Sequence, residues 1–219
     1  FSNYSPMFRF ILLFSLTLLT VSVQWQTYIG DESWKHVFIR MRPEFIPAEV
    51  KEVTKDPLFS IPLDLQGKIP EVGTVILVDF RIPSNHKRLW VVRNNKVLVH
   101  CRVAHGKNSG ETVTENFSNE PETNMSCMGE FKTGKIYQGD KGLAMRLHGL
   151  EAGVNDNAYD RGIVFHGGAY VSNSFLMKHG RIGRSHGCFV TEPSLNARII
   201  RLCRYGAKMF VSGHQPVKF

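Results

Sequence analysis

The residues best placed for covalent chemistry lie in the stretch GRIGRSHGCFVTEP, residues 180–193, where Cys188 follows a Ser-His-Gly turn. A free thiol titrates near about 8.5, so at neutral pH little of it is the nucleophilic thiolate. A neighbouring imidazole can take the thiol proton and later return it to a leaving amine. Gly187 removes a side chain immediately before the sulfur and leaves backbone N–H groups free to face a developing oxyanion. Arg181 and Arg184 add positive charge close by. A cysteine kept for packing belongs inside an apolar run, whereas this one follows Arg-Ser-His-Gly, so Cys188 reads as a nucleophile.

Two histidines compete to be its base. His186 stands two residues before Cys188 and shares its face if the segment is extended. His166 ends the apolar run GIVF and precedes Gly167-Gly168, at the rim of a sheet. There one ring nitrogen can donate to a backbone carbonyl, which fixes the tautomer and leaves the other nitrogen to work. The residues alone lean slightly toward His166.

The elements that must hold these groups are short and mostly extended. TVILVDF from residue 74 suits a core strand, and RLWVVRNNKVLVHCRVAHG predicts a hairpin turning at Asn94-Asn95. Residues 106–129 lack periodicity and predict a long loop. Glycine-bounded strands follow at GEFKTGKIY, LAMRLHG and GIVFHG, then a short helix over 195–206, with Pro193 discouraging a long helix directly after the cysteine. The pattern predicts a mainly β fold, a sandwich or partly open barrel with short helices and long loops. Asn155, Asp156 and Asn157 read as turn formers. Trp25, Trp34 and Trp90 read as core or core-edge residues.

The N-terminal third has a different texture. Residues 7–24 begin with Met7 and Arg9 and continue as an apolar run too short to span a bilayer comfortably, predicting a signal peptide or an N-terminal membrane anchor. Residues 25–73 are punctuated by proline and predict an extension packed on the domain, with a short helix near 48–55; residues 74–219 form the expected catalytic domain. The chain is basic, with 27 Lys and Arg against 19 Asp and Glu, a formal +8. That charge favours anionic partners, but no basic stripe interleaves the aromatics, so nucleic acid is not an expected partner. The four cysteines are too widely spread for a zinc knuckle; in an oxidising compartment Cys101 and Cys127 are the pair to test for a bridge.

The segment from HGGAYV to SHGC, His166 to Cys188, resembles the signature of the murein L,D-transpeptidase (YkuD-like) family, as a divergent branch. The flanking LHGLEAGVNDNAYDRGIVFHGG and VAHGKNSG…FSNEPETNMSCMGEFKTGK extend the resemblance over roughly residues 74–212. It implies a β-rich domain that remodels peptidoglycan without a cofactor. In such enzymes the cysteine attacks the carbonyl after the L-centre of diaminopimelate in a tetrapeptide stem, D-Ala leaves, and the acyl group passes to a stem amine. Carried over by position, Cys188 is the nucleophile, His166 the base and then acid, and the Gly167 carbonyl the orienting partner. Ser185, His186 and Gly187 shape the loop, with N–H groups near Gly187 and Cys188 as the oxyanion hole. Many members carry arginine two residues after the cysteine; here Val190 stands there and Thr191 follows. Arg184 or Arg181 would then meet a substrate carboxylate, with Tyr170, Arg161 and His105 as further groove candidates; His105 reads equally as a loop-fixing residue. Peptidoglycan stem peptides are the expected partner, and the periplasm or cell envelope the expected location.

Rival readings keep the same residues and change their roles. Water as acceptor makes the protein an L,D-carboxypeptidase, and an inert Cys188 makes it a wall-binding or structural domain. A metallohydrolase would need His100, His105, His148, His166 and His186 to converge with Asp156 and Asp160, yet no HExxH or paired-cysteine spacing is present, so no metal is expected. A papain-like protease places its cysteine before its histidine, the reverse of the order here.

Overall fold

The computed structural model describes residues 57–204 and 206–214. The expected signal or anchor at 7–24, the helix near 48–55, and Trp25 and Trp34 lie outside the described residues. The chain divides into two units, Phe1–Ser60 and Ile61–Phe219; of the first, the turn of 3-10 helix Pro57–Ser60 is described. The second begins ahead of Thr74, with Ile61 and Leu65 both buried.

In this second unit eight strands form one sheet: β1 (Thr74–Asp79), β2 (Leu89–Arg93), β3 (Lys96–Cys101), β4 (Gly129–Gly139), β5 (Gly142–Gly149), β6 (Val164–Gly167), β7 (Phe189–Thr191) and β8 (Lys208–Ser212), in the order β3-β2-β1-β8-β4-β5-β6-β7. Pairing is antiparallel except for β1 with β8 and β6 with β7. The predicted β2–β3 hairpin forms, with Asn94 and Asn95 both left-handed at φ 48° and 57°, the conformation that a two-residue turn between twisted strands requires. The ring then almost closes. The chain leaving β3 reaches β7, where Ala104 N–H donates to the Val190 carbonyl at 2.8 Å, and Gly106 bridges to Ser185. Ladder bonding is otherwise lacking across that seam, so the fold is a partly open β barrel.

Alternation along the strands decides what faces inward. Ile76, Val78, Leu89, Val91, Phe131, Met145, Leu147, Phe165 and Phe189 share one core. The Phe189 ring stacks on Phe80 at 5.7 Å and meets Phe131 edge-on at 5.6 Å. Each such side chain stabilises the fold by about 1.5–3 kcal/mol through burial alone. Phe189 adjoins Cys188, so the strand carrying the candidate nucleophile is anchored by one of the best-packed rings in the barrel.

Three α-helices accompany the sheet among the described residues: α1 (Leu63–Gln66), α2 (Asn173–His179) and α3 (Pro193–Cys203). The helix expected at 195–206 starts and stops earlier. Pro193 opens it rather than opposing it, because the first helical position needs no N–H and suits proline's fixed φ. Ile199, Ile200 and Cys203 of α3 then join the core. Helix α2 is absent from the sequence reading, although its signals are present. Ser172 Oγ accepts the Phe175 N–H at 3.2 Å, and Gly180 ends the helix at φ 69°.

All four cysteines are free thiols, which overturns the suggested Cys101–Cys127 bridge. Both are buried in the apolar core, where burial pushes Cys101 up to about 12 and Cys127 up to about 11. As neutral thiols they act as small apolar residues. Trp90 is fully buried, as expected of a core residue. Among the described residues no helix is long and apolar enough to cross a membrane.

Candidate active site

The outer face of β4–β7, opposite the core, carries the candidate residues. Register sets Tyr137, Ala144, His166 and Val190 in one row across the four strands. The next row holds Arg146 opposite Val164, with Cys188 one step before the Phe165–Phe189 pair and therefore beside Val164. Since Phe165 and Phe189 point into the core, His166 and Cys188 both face outward. They are diagonal neighbours on adjacent parallel strands. His166 Nδ1 lies 2.8 Å from the Gly167 carbonyl. A carbonyl can only accept, so Nδ1 carries the proton and Nε2 keeps a free lone pair. The other candidate base, His186, is exposed on the turn.

Serine hydroxyls build the turn that presents Cys188. Ser185 Oγ accepts the Gly187 N–H at 3.1 Å and donates to the Cys188 carbonyl at 2.7 Å. Ser126 Oγ donates to the Gly187 carbonyl at 3.0 Å and accepts the Gly106 N–H, also at 3.0 Å. Ser126 thereby joins the nucleophile turn to the 106–129 loop from the buried side, a contact that the sequence reading missed. Gly187 has φ 116°, and a Cβ there would stand 2.6 Å from Ile163 Cδ1 and 2.8 Å from the Met125 carbonyl. Glycine is required at this position by conformation and by space alike.

Resting electrostatics favour a neutral pair. Burial pushes the Cys188 thiol above its ordinary 9.0, opposed by the Val164 and Cys188 N–H groups and by the charges of Arg161 and Arg146. The thiol donates weakly to the Gly162 carbonyl at 3.7 Å. Burial likewise holds His166 below its ordinary 6.5; the Gly167 carbonyl opposes this, and Lys141 adds to it. Catalysis from a neutral thiol beside a neutral imidazole predicts a broad pH plateau. Protonation of His166 removes the base, so the acid limb of kcat/KM should fall below pH 6.5; ionisation of Cys188 removes the transferable proton, so the alkaline limb should fall above pH 9.0. A pH–rate profile checks both limbs, and a rising limb between those values would mean that bulk ionisation of the thiol generates the nucleophile.

The remaining sequence candidates separate into those at the cysteine and those that hold its loops. Tyr170 is half-buried and packs with Cys188, Ala104, Val171, Ile182 and Val190 in a small outer cluster. His105 is not a substrate contact: it is fully buried, with Nδ1 facing Arg88 at 2.7 Å and Thr114 at 3.1 Å, and Nε2–H donating to the Gly110 carbonyl at 3.1 Å. Burial lowers its pKa to about 4, with the Arg88 charge second, so the ring is a neutral loop-fixing element. Arg184 donates to the carbonyls of Lys107 and Gly110 and pairs with Glu111 at 2.7 Å; Arg181 faces the same carboxylate at 3.6 Å. Arg161 donates to the carbonyls of Ser118 and Met125 and to Thr123 Oγ1, tying the long loop against the site. Asn155 is buried; its Oδ1 accepts the Glu151 N–H at 2.9 Å, in keeping with its turn-forming role, and its amide also donates to the distant carbonyls of Met128 and Glu130.

Among the described residues no three His, Cys, Asp or Glu side chains converge on a point that could hold a metal ion. The family model described as the L,D-transpeptidase catalytic domain (YkuD_2) matches residues 62–212. No curated protein matches the chain. Among solved structures, the L,D-transpeptidase (Yku) from Stackebrandtia nassauensis is 17% identical with a TM-score of 0.42, over 84% of this chain and 78% of that one. An L,D-transpeptidase from Mycobacterium smegmatis is 15% identical with a TM-score of 0.40, over 64% of this chain and 58% of that one, so this chain spans a little over half of its length. The helical cell shape determining protein Pgp2 from Campylobacter jejuni is 12% identical with a TM-score of 0.42, over 67% and 48%. The family match runs over most of the chain and takes in both the β6 histidine and the Ser-His-Gly-Cys turn: the chain belongs to the L,D-transpeptidase catalytic domain family.

Proposed function

We propose that the protein is an exported cysteine acyltransferase that cross-links peptidoglycan stem peptides, an L,D-transpeptidase of the periplasm or cell envelope. The observation that carries this reading is the placing of His166 and Cys188 on one face of β6–β7, with His166 Nδ1–H committed to the Gly167 carbonyl. The +8 formal charge suits an acidic wall polymer.

His166 Nε2 takes the Cys188 proton as the sulfur attacks the carbonyl after the L-centre of diaminopimelate. The oxyanion is met first by the Cys188 N–H; the Gly187 N–H is already held by Ser185 Oγ. Collapse breaks the C–N bond, the imidazolium protonates the departing D-Ala amine, and a thioester on Cys188 remains. An acceptor amine then attacks the thioester, His166 takes the amine proton, and the thiolate leaves and is reprotonated. The Gly167 carbonyl does the orienting work of the aspartate in a serine triad, since it need only accept one imidazole N–H.

The test is mass spectrometry of the protein incubated with a disaccharide-tetrapeptide. The expected results are an acyl adduct on Cys188, release of D-Ala and a cross-linked dimer. D-Ala release without dimer would assign the L,D-carboxypeptidase activity instead. Neither adduct nor product across several stem peptides would sink the enzymatic reading in favour of a wall-binding domain.

A further inference from the structure

Strand β5 alternates so that Met145 and Leu147 enter the core while Ala144, Arg146 and His148 face the side that carries Cys188. Arg146 lies opposite Val164, in the row of the candidate nucleophile. Its guanidinium carbon stands 5.0 Å from the centre of the Tyr137 ring and 5.4 Å from that of Tyr159. Tyr159 is itself stacked on His148 at 4.8 Å, with 13° between the ring planes. Two aromatic rings thus hold the cation, and a cation–π contact does not use up a guanidinium's N–H donors.

The neighbouring arginines are already engaged: Arg161 by carbonyls and Thr123, Arg184 and Arg181 by Glu111. Among the described residues no carboxylate stands within ion-pair distance of Arg146. A half-buried, pre-oriented guanidinium on the floor of a reactive face matches a planar anion, and a carboxylate takes its paired N–H edges two at once.

We infer that Arg146 is a specificity-determining residue that binds a carboxylate of the donor stem, the one at the D-centre of the diaminopimelate side chain. This rests on the function proposed above, and distance selects which carboxylate. The backbones of Arg146 and Cys188 are two strand spacings apart, roughly 10 Å, and the guanidinium rests by Tyr137 of β4, the neighbour of β5 on the side away from β6 and β7. The carboxylate of the leaving D-Ala lies one residue's length from the scissile carbonyl, roughly 3.5 Å, too near to span that separation. The D-centre carboxylate lies six carbon–carbon bonds away, roughly 7–8 Å when extended, and a hydrogen-bonded guanidinium covers the remainder. Arg146 therefore supplies the cation that Val190 does not, from another strand.

The experiment compares a tetrapeptide stem carrying a free D-centre carboxylate with the same stem amidated at that carboxylate. Binding is measured by calorimetry on the Cys188→Ala protein, with and without Arg146→Gln or Arg146→Lys, so that the result does not depend on turnover. Charge-assisted hydrogen bonds of this kind predict affinity for the free acid about 10- to 100-fold higher than for the amide. Arg146→Gln should abolish that preference and Arg146→Lys should keep part of it. Equal affinities for the two stems, or a preference that survives Arg146→Gln, would overturn the inference. Turnover of the same stems by the wild-type protein is scored separately: its absence, beside an intact Arg146-dependent preference, counts against the catalytic reading and not against the carboxylate site.

Discussion

Cys188→Ser should leave the fold intact and lower acyl transfer by about 10⁴-fold or more, the scale seen when a covalent nucleophile is lost. The substitution exchanges one small atom at a half-exposed position, so stability should stay within about 1 kcal/mol of wild type. The chemical loss follows from the base. Burial holds His166 below its ordinary 6.5, and an imidazole that reluctant to protonate is poorly matched to a hydroxyl. A thiol lies far closer to it in acidity, so proton transfer concerted with attack is far easier from sulfur than from oxygen at a site built for sulfur. His166→Gln should cost about 10²–10⁴-fold, the usual worth of a positioned base. His186→Gln should cost little, because that ring is exposed on the turn, whereas the His166 ring is held by the Gly167 carbonyl. Rates from D-Ala release, with thermal melts as the folding control, check all three. Cys188→Ser retaining more than a few per cent of wild-type activity would remove the sulfur from the mechanism, and a His186→Gln loss equal to that of His166→Gln would reverse the choice of base.

The candidate site was legible in the sequence because it is local. Gly187 and Cys188 are adjacent, and Gly167 follows His166 directly, so the nucleophile turn and the orienting carbonyl can be read from a few letters. The strands were legible for a similar reason: β-branched runs bounded by glycine or asparagine state both their period and their ends. What stayed hidden depends on contacts distant along the chain. Ser126 lies in a loop without periodicity, and its link from Gly106 to Gly187 exists only because the seam of the barrel brings residues 104–106 against 185–190. Arg146 in LAMRLHG reads as an ordinary outward charge until register places it in the row of Cys188. Pro193 carried two messages of which one was read: no helix runs on from Cys188, but the proline itself opens α3 two residues ahead of the expected start at 195. Arg181 and Arg184, chosen for their nearness in sequence, face Glu111 instead.

Arg88 is where a hidden contact has the largest expected effect on stability. Its guanidinium is fully buried, lies 4.7 Å from the Phe80 ring centre, and has its pKa drawn down by burial from 12.5 to about 9. It remains charged at neutral pH because acceptors surround it. Nε and Nη2 donate to the Val103 carbonyl at 3.0 and 2.9 Å, Nη1 to the Ile82 carbonyl at 2.9 Å and to Thr114 Oγ1 at 3.1 Å, and Nη2 to His105 Nδ1 at 2.7 Å. Arg88→Met keeps the volume of the stem but strands the Val103 and Ile82 carbonyls without water and leaves Thr114 Oγ1 and His105 Nδ1 only each other, so the expected cost is about 3–5 kcal/mol. For a domain of this size that lowers Tm by roughly 10–15 °C. Arg88→Lys should fall between, since an ammonium keeps the charge but cannot reach the same acceptors in one plane. Activity should fall as well, because the His105 carbonyl accepts the Ser185 N–H at 2.8 Å and the Lys107 N–H donates to the Ser185 carbonyl at 2.7 Å; the segment that Arg88 pins therefore positions the nucleophile turn. Adding His105→Leu and Thr114→Val to Arg88→Met removes the two buried polar groups that have lost the arginine as partner, while the Gly110 carbonyl keeps Arg184 as its donor, and should recover part of the lost stability. Urea melts of the single and triple variants decide the matter. A single variant as stable as wild type would show that Arg88 holds nothing together, and a triple variant less stable than the single would show that packing around the three side chains, rather than their hydrogen bonds, maintains the segment.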